Sequence, residues 1–102
     1  MTTPESGCCT PFLKALADQT RWRMVQELLA GPLTVNELAQ RLKVSQYNVS
    51  KHLRVLRQCG LVEAVKRGKH VDCRIAPAFQ RRMAGNNHQL DLGCCVFRFD
   101  RR

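Results

Sequence analysis

A mainly helical domain finished by a small β-hairpin, of mixed α+β class, is what this chain of 102 residues predicts. Three observations lead there. Apolar residues recur at helical spacing through the first sixty or so positions, with capping residues where each run begins. After Gly60 the period changes to alternation. No apolar run approaches the roughly 20 residues that span a bilayer. With 44% apolar and 25% charged residues the composition is that of a globular chain.

Element by element, Thr10 and Pro11 read as a helix start, a capping hydroxyl followed by a residue whose missing N–H costs nothing in the first turn. Phe12, Leu13 and Leu16 supply its apolar face. Asp18 reads as the cap of a second helix through Ala30, stopped by Gly31 and Pro32, with Trp22, Val25, Leu28 and Leu29 at helical spacing. Thr34 and Glu37 have capping-box spacing and open a short third helix that turns Leu38 and Leu42 inward. Ser45 caps a fourth helix to about Cys59, with Val49, Leu53 and Leu56 on its inner stripe and Gly60 as its terminator. Residues 61–65 and 70–75 alternate around Arg67, Gly68 and Lys69 and predict a hairpin that turns Val71, Cys73 and Ile75 to one face. Pro77 ends that strand, Ala78 to Met83 predict a helical turn, Gly85 to Asn87 a loop, and Leu90 to Phe99 one further strand. The expected division is a tail over 1–9, a domain over 10–84 and an extended segment over 85–102.

The net charge is +9, and it is concentrated: nine basic residues between Arg41 and Arg74 face only Glu63 and Asp72. Such clustering points to a polyanion, because neutralised phosphates release condensed counterions. A membrane surface would require those charges on an amphipathic helix with bulky apolar residues opposite. Two helices joined by a short turn, followed by a basic-tipped hairpin, make a winged helix-turn-helix that binds double-stranded DNA. The fourth helix presents Gln46, Tyr47, Asn48, Ser50, Lys51 and His52, amides and small polar groups suited to base edges and phosphates. The wing offers Arg67, Lys69 and His70 to the backbone or minor groove.

The segments LADQTRWRMVQEL (16–28), VSKHLRVLRQCGLV (49–62) and RGKHVDCRI (67–75) together resemble the ArsR/SmtB family of bacterial metal-responsive repressors, over about two thirds of the chain. The resemblance implies a homodimer on an inverted-repeat operator, released by an inducer. Two family patterns are missing. The helix at Val35–Leu42 has no Cys-x-Cys motif, and in place of the long C-terminal helix whose Asp and His residues bind zinc in other members, the C-terminus is short and reads Gly93-Cys94-Cys95-Val96-Phe97-Arg98-Phe99.

Six cysteines fall as Cys8-Cys9, Cys59, Cys73 and Cys94-Cys95, and nothing in MTTPESGCCT directs secretion, so a cytoplasmic, reduced chain is expected. Soft thiolates suit As(III), Sb(III), Cd, Hg, Zn or Cu(I), although adjacent cysteines do not match the knuckle spacing of structural zinc. Trivalent arsenic takes three thiolates in a pyramid, and Cys8-Cys9 resembles the vicinal cysteines of arsenic-responsive family members. The expected inducer site is therefore Cys8, Cys9, Cys94 and Cys95 binding As(III) or Sb(III), with a thiol redox or persulfide switch, or another soft metal, as the competing readings. A single strand through Leu90–Phe99 would turn Cys94 and Cys95 to opposite faces, an objection to both acting on one ion. Cys59 and Cys73 read as core residues, and His88 as a solvated loop residue. An enzyme is disfavoured: there is no Gly-rich phosphate loop, Cys-x-x-Cys motif or paired-carboxylate constellation.

Overall fold

The computed structural model describes the backbone of residues 4–80, 89–93 and 96–98, and the side chains of 10–79, 89–93 and 96–98. Among the described residues the element order is α1 (Pro4–Leu16), α2 (Gln19–Leu28), β1 (Leu33–Thr34), α3 (Val35–Leu42), α4 (Gln46–Gln58), β2 (Val62–Arg67), β3 (His70–Ile75), α5 (Pro77–Gln80), β4 (Gln89–Asp91) and β5 (Val96–Arg98).

The caps lie where the local chemistry requires them. Asp18 Oδ2 accepts from the Arg21 N–H at 3.0 Å and Ser45 Oγ from the Asn48 N–H at 3.0 Å. The Thr34 box closes in both directions, Glu37 N–H to Thr34 Oγ1 at 3.0 Å and Thr34 N–H to Glu37 Oε1 at 2.8 Å. Thr34→Ala is accordingly expected to cost about 1 kcal/mol, read as a lowered midpoint in urea unfolding at unchanged slope. Gly60 closes α4 with φ +86, a conformation that L side chains rarely adopt.

Three features differ from the expectations. α1 begins at Pro4 and carries Pro11 inside it, so the tail expected over 1–9 is helical from Pro4 onward. Proline at the first helical position suits Pro4 as well as it would Pro11. Leu33–Thr34 forms a two-residue strand on β3, with Leu33 opposite Cys73 and Thr34 opposite Asp72, making a three-stranded sheet of order β1-β3-β2. The strand expected over Leu90–Phe99 is instead an antiparallel hairpin, with Gln89 opposite Arg98 and Asp91 opposite Val96. Between its arms the Gly93 N–H donates to Asp91 Oδ1 at 2.8 Å, and Gly93 has φ +91, so the chain turns where uninterrupted alternation would have carried it on.

One core joins all of this. Met24, Val25, Leu38, Val49, Leu56, Leu61, Cys73 and Leu90 are each fully buried. Leu90 and Leu92 bring the C-terminal hairpin into the same cluster as Ala15 and Leu16 of α1. Phe97 meets Trp22 of α2 edge-to-face at 5.9 Å, and Phe79 of α5 meets Phe12 of α1 at 5.4 Å. Cys73 is buried in the core, and Cys59 is half-buried against it. Burial, then the neighbouring Asp72, pushes the Cys73 thiol up to about 11, and burial raises Cys59, whose Sγ donates to the Leu56 carbonyl at 3.3 Å. Both stay protonated at neutral pH, so Cys73 is expected to resist iodoacetamide at pH 7.5 until the protein is unfolded, as mass spectrometry would show.

The side chains of Cys8 and Cys9, residues Cys94 and Cys95, the loop at 85–87, His88 and the far end of the turn expected to reach Met83 lie outside the described residues. No helix among the described residues is long and apolar enough to cross a membrane.

Candidate nucleic-acid interface

α3 and α4 meet through Val44 and Ser45, a junction held by Lys43 in the left-handed conformation at φ 59. α4 buries Val49, Leu53 and Leu56, and this phase leaves Gln46, Tyr47, Asn48, Ser50, Lys51, Arg54 and Arg57 exposed. Tyr47 is 75% exposed, a large ring with no core to enter and therefore available to a partner. At the other border of the face, Gly68 (φ +57) and Lys69 form the two-residue turn between Arg67 and His70. Asp72 holds the Arg67 guanidinium at 3.2 Å, and Glu63 pairs with Arg74 at 2.9 Å, so the hairpin is braced across its strands.

Helix and wing enclose a concave groove of about 460 Å³ lined by Thr34, Val35, Asn36, Gln46, Ser50, Lys69, His70 and Val71. Gln46 and Ser50, one helical turn apart, form one wall, and Lys69 and His70 the other. Beyond Ser50 the face continues as a recess of about 200 Å³ lined by Tyr47, Ser50, Lys51 and Arg54, then another of about 300 Å³ lined by Arg54, Arg57 and Gln58. Of the expected DNA-facing residues, Gln46, Tyr47, Ser50, Lys51, Lys69 and His70 line these recesses, Asn48 and Arg67 are exposed outside them, and one stands apart.

The exception is His52. Its side chain is 16% exposed, and Nδ1 lies 3.1 Å from Arg21 Nη1. The Asp18 carboxylate stands 3.8 Å away, beyond hydrogen-bond reach, so the Arg21 contact is the one that orients the ring. Arg21 is anchored in turn by Nε donating to the Ala15 carbonyl at 2.6 Å. Asp18 itself is held below the usual carboxylate range by the Arg21 N–H, against partial desolvation, with His52 and the Arg21 charge adding to the lowering. His52 stands one turn from both Val49 and Leu56, which puts it on the flank of the inner stripe. It braces α4 against the start of α2 and is not presented with Gln46 and Ser50.

Sequence reasoning passed over Arg54 and Arg57 as site residues, although they continue the stripe of Tyr47, Ser50 and Lys51 at helical spacing. It also missed Asn36, for which a single sequence carries no signal. If Arg54 contacts a phosphate, Arg54→Ala should lower the slope of log affinity against log salt by about 0.9, measured by anisotropy on one duplex. Among the described residues no group of three or more His, Cys, Asp or Glu side chains comes together.

A helix-turn-helix whose second helix and basic hairpin flank a polar groove defines a DNA-binding protein of winged-helix form. The chain belongs to the arsR family of bacterial regulatory proteins, whose model matches residues 18–64. It is similar to the HTH-type transcriptional regulator CmtR of Mycobacterium tuberculosis, 40% identical over 79 residues that cover 78% of this chain and 67% of that one. A probable mercury resistance operon repressor of Streptomyces lividans is 36% identical over 94% of this chain and 86% of its own. Among solved structures, HlyU from Vibrio cholerae superposes with a TM-score of 0.73 at 33% identity, covering 80% of this chain and 89% of that chain. The chain is therefore a transcriptional regulator and not an enzyme.

Proposed function

We propose that this regulator is a homodimeric repressor that holds an inverted-repeat operator and releases it when a thiophilic inducer, As(III) or Sb(III), binds Cys8, Cys9, Cys94 and Cys95. The observation that carries the inducer half is the C-terminal hairpin. Leu90 and Leu92 enter the core shared with α1, and Phe97 lies on Trp22, so the segment bearing Cys94 and Cys95 is tied back to the helical body instead of trailing away. β4 ends at Asp91 and Gly93 turns the chain, so Leu90–Phe99 is not one continuous strand.

In the repressing state two recognition helices would enter successive major grooves, about 34 to 36 Å apart. Gln46, Tyr47, Asn48, Ser50 and Lys51 would address bases and nearby phosphates, and Arg67, Lys69 and His70 the flanking backbone. Arg54 and Arg57 would extend the phosphate contacts. An inducer favouring the free conformation weakens DNA binding by the same coupling free energy by which DNA weakens inducer binding, typically about 1 to 3 kcal/mol. The cysteines would supply soft thiolates, and an As(III) pyramid draws on both ends of the chain because an adjacent pair furnishes at most two sulfurs. The Streptomyces relative favours Hg(II) as a second reading, since a probable mercury resistance operon repressor is similar over 94% of this chain.

The deciding experiment is fluorescence anisotropy on a duplex selected from a random pool, under reducing conditions, titrated separately with arsenite, antimonite, Hg(II), Cd(II), Zn(II) and a mild oxidant or persulfide. Release by arsenite or antimonite near stoichiometry is the expected result. Release by Hg(II) alone transfers the site to mercury, and release by oxidant alone makes the same cysteines a redox switch.

A further inference from the structure

We infer that Asn36 is a positioning residue for base recognition, holding the Gln46 side chain so that its free edge reads adenine. The inference rests on the DNA-binding reading of this face. Gln46 Nε2 donates to Asn36 Oδ1 at 2.8 Å, across the junction between α3 and α4. A glutamine amide has two N–H donors and one carbonyl oxygen. With one N–H spent on Asn36, one donor and the acceptor remain. That pair is the complement of the major-groove edge of adenine, whose N7 accepts and whose N6 amino group donates.

Both partners stand on fixed backbone. Asn36 lies in the first turn of α3, inside the reciprocal Thr34–Glu37 box, and Thr34 is also paired to Asp72 of β3. Gln46 is the first residue of α4, directly after its Ser45 cap. Both face the groove between recognition helix and wing, where a base edge would enter. A long, exposed glutamine ordinarily loses rotamer freedom on binding, and a partner that orders it beforehand reduces that loss.

The test is selection of bound duplexes from a pool with randomised positions, read by sequencing, for the wild type and three variants. The wild type should enrich adenine at one position of each half-site. Gln46→Glu should exchange that adenine for cytosine, because a carboxylate accepts from the cytosine amino group. Asn36→Ala should reduce the adenine preference about 10-fold, within the range of one bidentate base contact, while affinity for a scrambled duplex changes less than about twofold. Asn36→Asp keeps the acceptor, so it should weaken every duplex alike yet preserve the adenine ratio. Thermal melting confirms that each variant is folded.

A Gln46→Glu variant with unaltered base preference overturns the inference. So does an Asn36→Ala variant that weakens all sequences equally, the signature of a merely structural residue. Failure of the wild type to bind any duplex would instead remove the DNA reading beneath it.

Discussion

Replacing Cys94 and Cys95 together by serine is expected to abolish arsenite-driven release from DNA while leaving inducer-free affinity unchanged within about twofold, since neither is among the proposed DNA-contacting residues. The wild-type response to be lost is about 5- to 150-fold in affinity, the range of ordinary allosteric couplings. Serine preserves the size of the side chain and removes the soft donor, so a lost response reports the thiolates and not the packing. Anisotropy on one duplex measures both quantities in a single titration. Replacement of Cys8 and Cys9 should have the same effect if both ends contribute to one site. Undiminished release in the Cys94/Cys95 variant would remove that pair from the site, whereas Cys59 and Cys73, with raised thiols in or against the core, should be replaceable without effect on induction.

The second large effect concerns the hairpin that carries this proposal. Leu90→Ala is expected to destabilise the protein by roughly 2 to 5 kcal/mol, because the side chain is fully buried and its removal leaves a cavity in a close-packed core. A domain of this size has about 5 to 15 kcal/mol in total, so the loss is a large share of stability and should lower Tm by about 10 °C or more. Leu56→Ala, equally buried beneath the recognition helix, is the comparison. Similar losses in the two variants, each in a single cooperative transition, would make the hairpin an integral part of the folding unit. A Leu90→Ala variant that melts like the wild type would detach residues 89–98 from the core and with them the support they give to the inducer site. Leu90 lies beyond residues 18–64, the stretch matched by the family model.

The contacts of the recognition helix and of the C-terminal hairpin lie on neighbouring residues of α2. Its N-terminal end holds the recognition helix through Arg21 and His52, and the next residue, Trp22, carries Phe97 of the hairpin.

Much of this molecule was legible in the residues alone, for a reason that can be stated case by case. Asp18, Thr34 with Glu37, and Ser45 act on N–H groups three positions away, and Gly60 supplies a backbone conformation of its own; these are short-range interactions, decided by composition over a few residues. The phase of α4 follows from Val49, Leu53 and Leu56, and with it the exposure of Gln46, Tyr47, Ser50 and Lys51. What the tertiary structure decided involves partners distant along the chain. Leu33–Thr34 is too short to signal a strand and becomes one because β3 is there to pair with it. His52 has the spacing of either face and is turned inward by Arg21, thirty-one positions earlier. Residues 89–98 alternate like one strand, yet burial of Leu90 and Leu92 and the seat of Phe97 on Trp22 accompany a fold into two. Asn36 meets Gln46 only because two capped helices are set at a fixed junction. Local backbone chemistry wrote the elements and the DNA-facing stripe; which side chains brace that stripe was settled by packing between segments that a linear pattern does not connect.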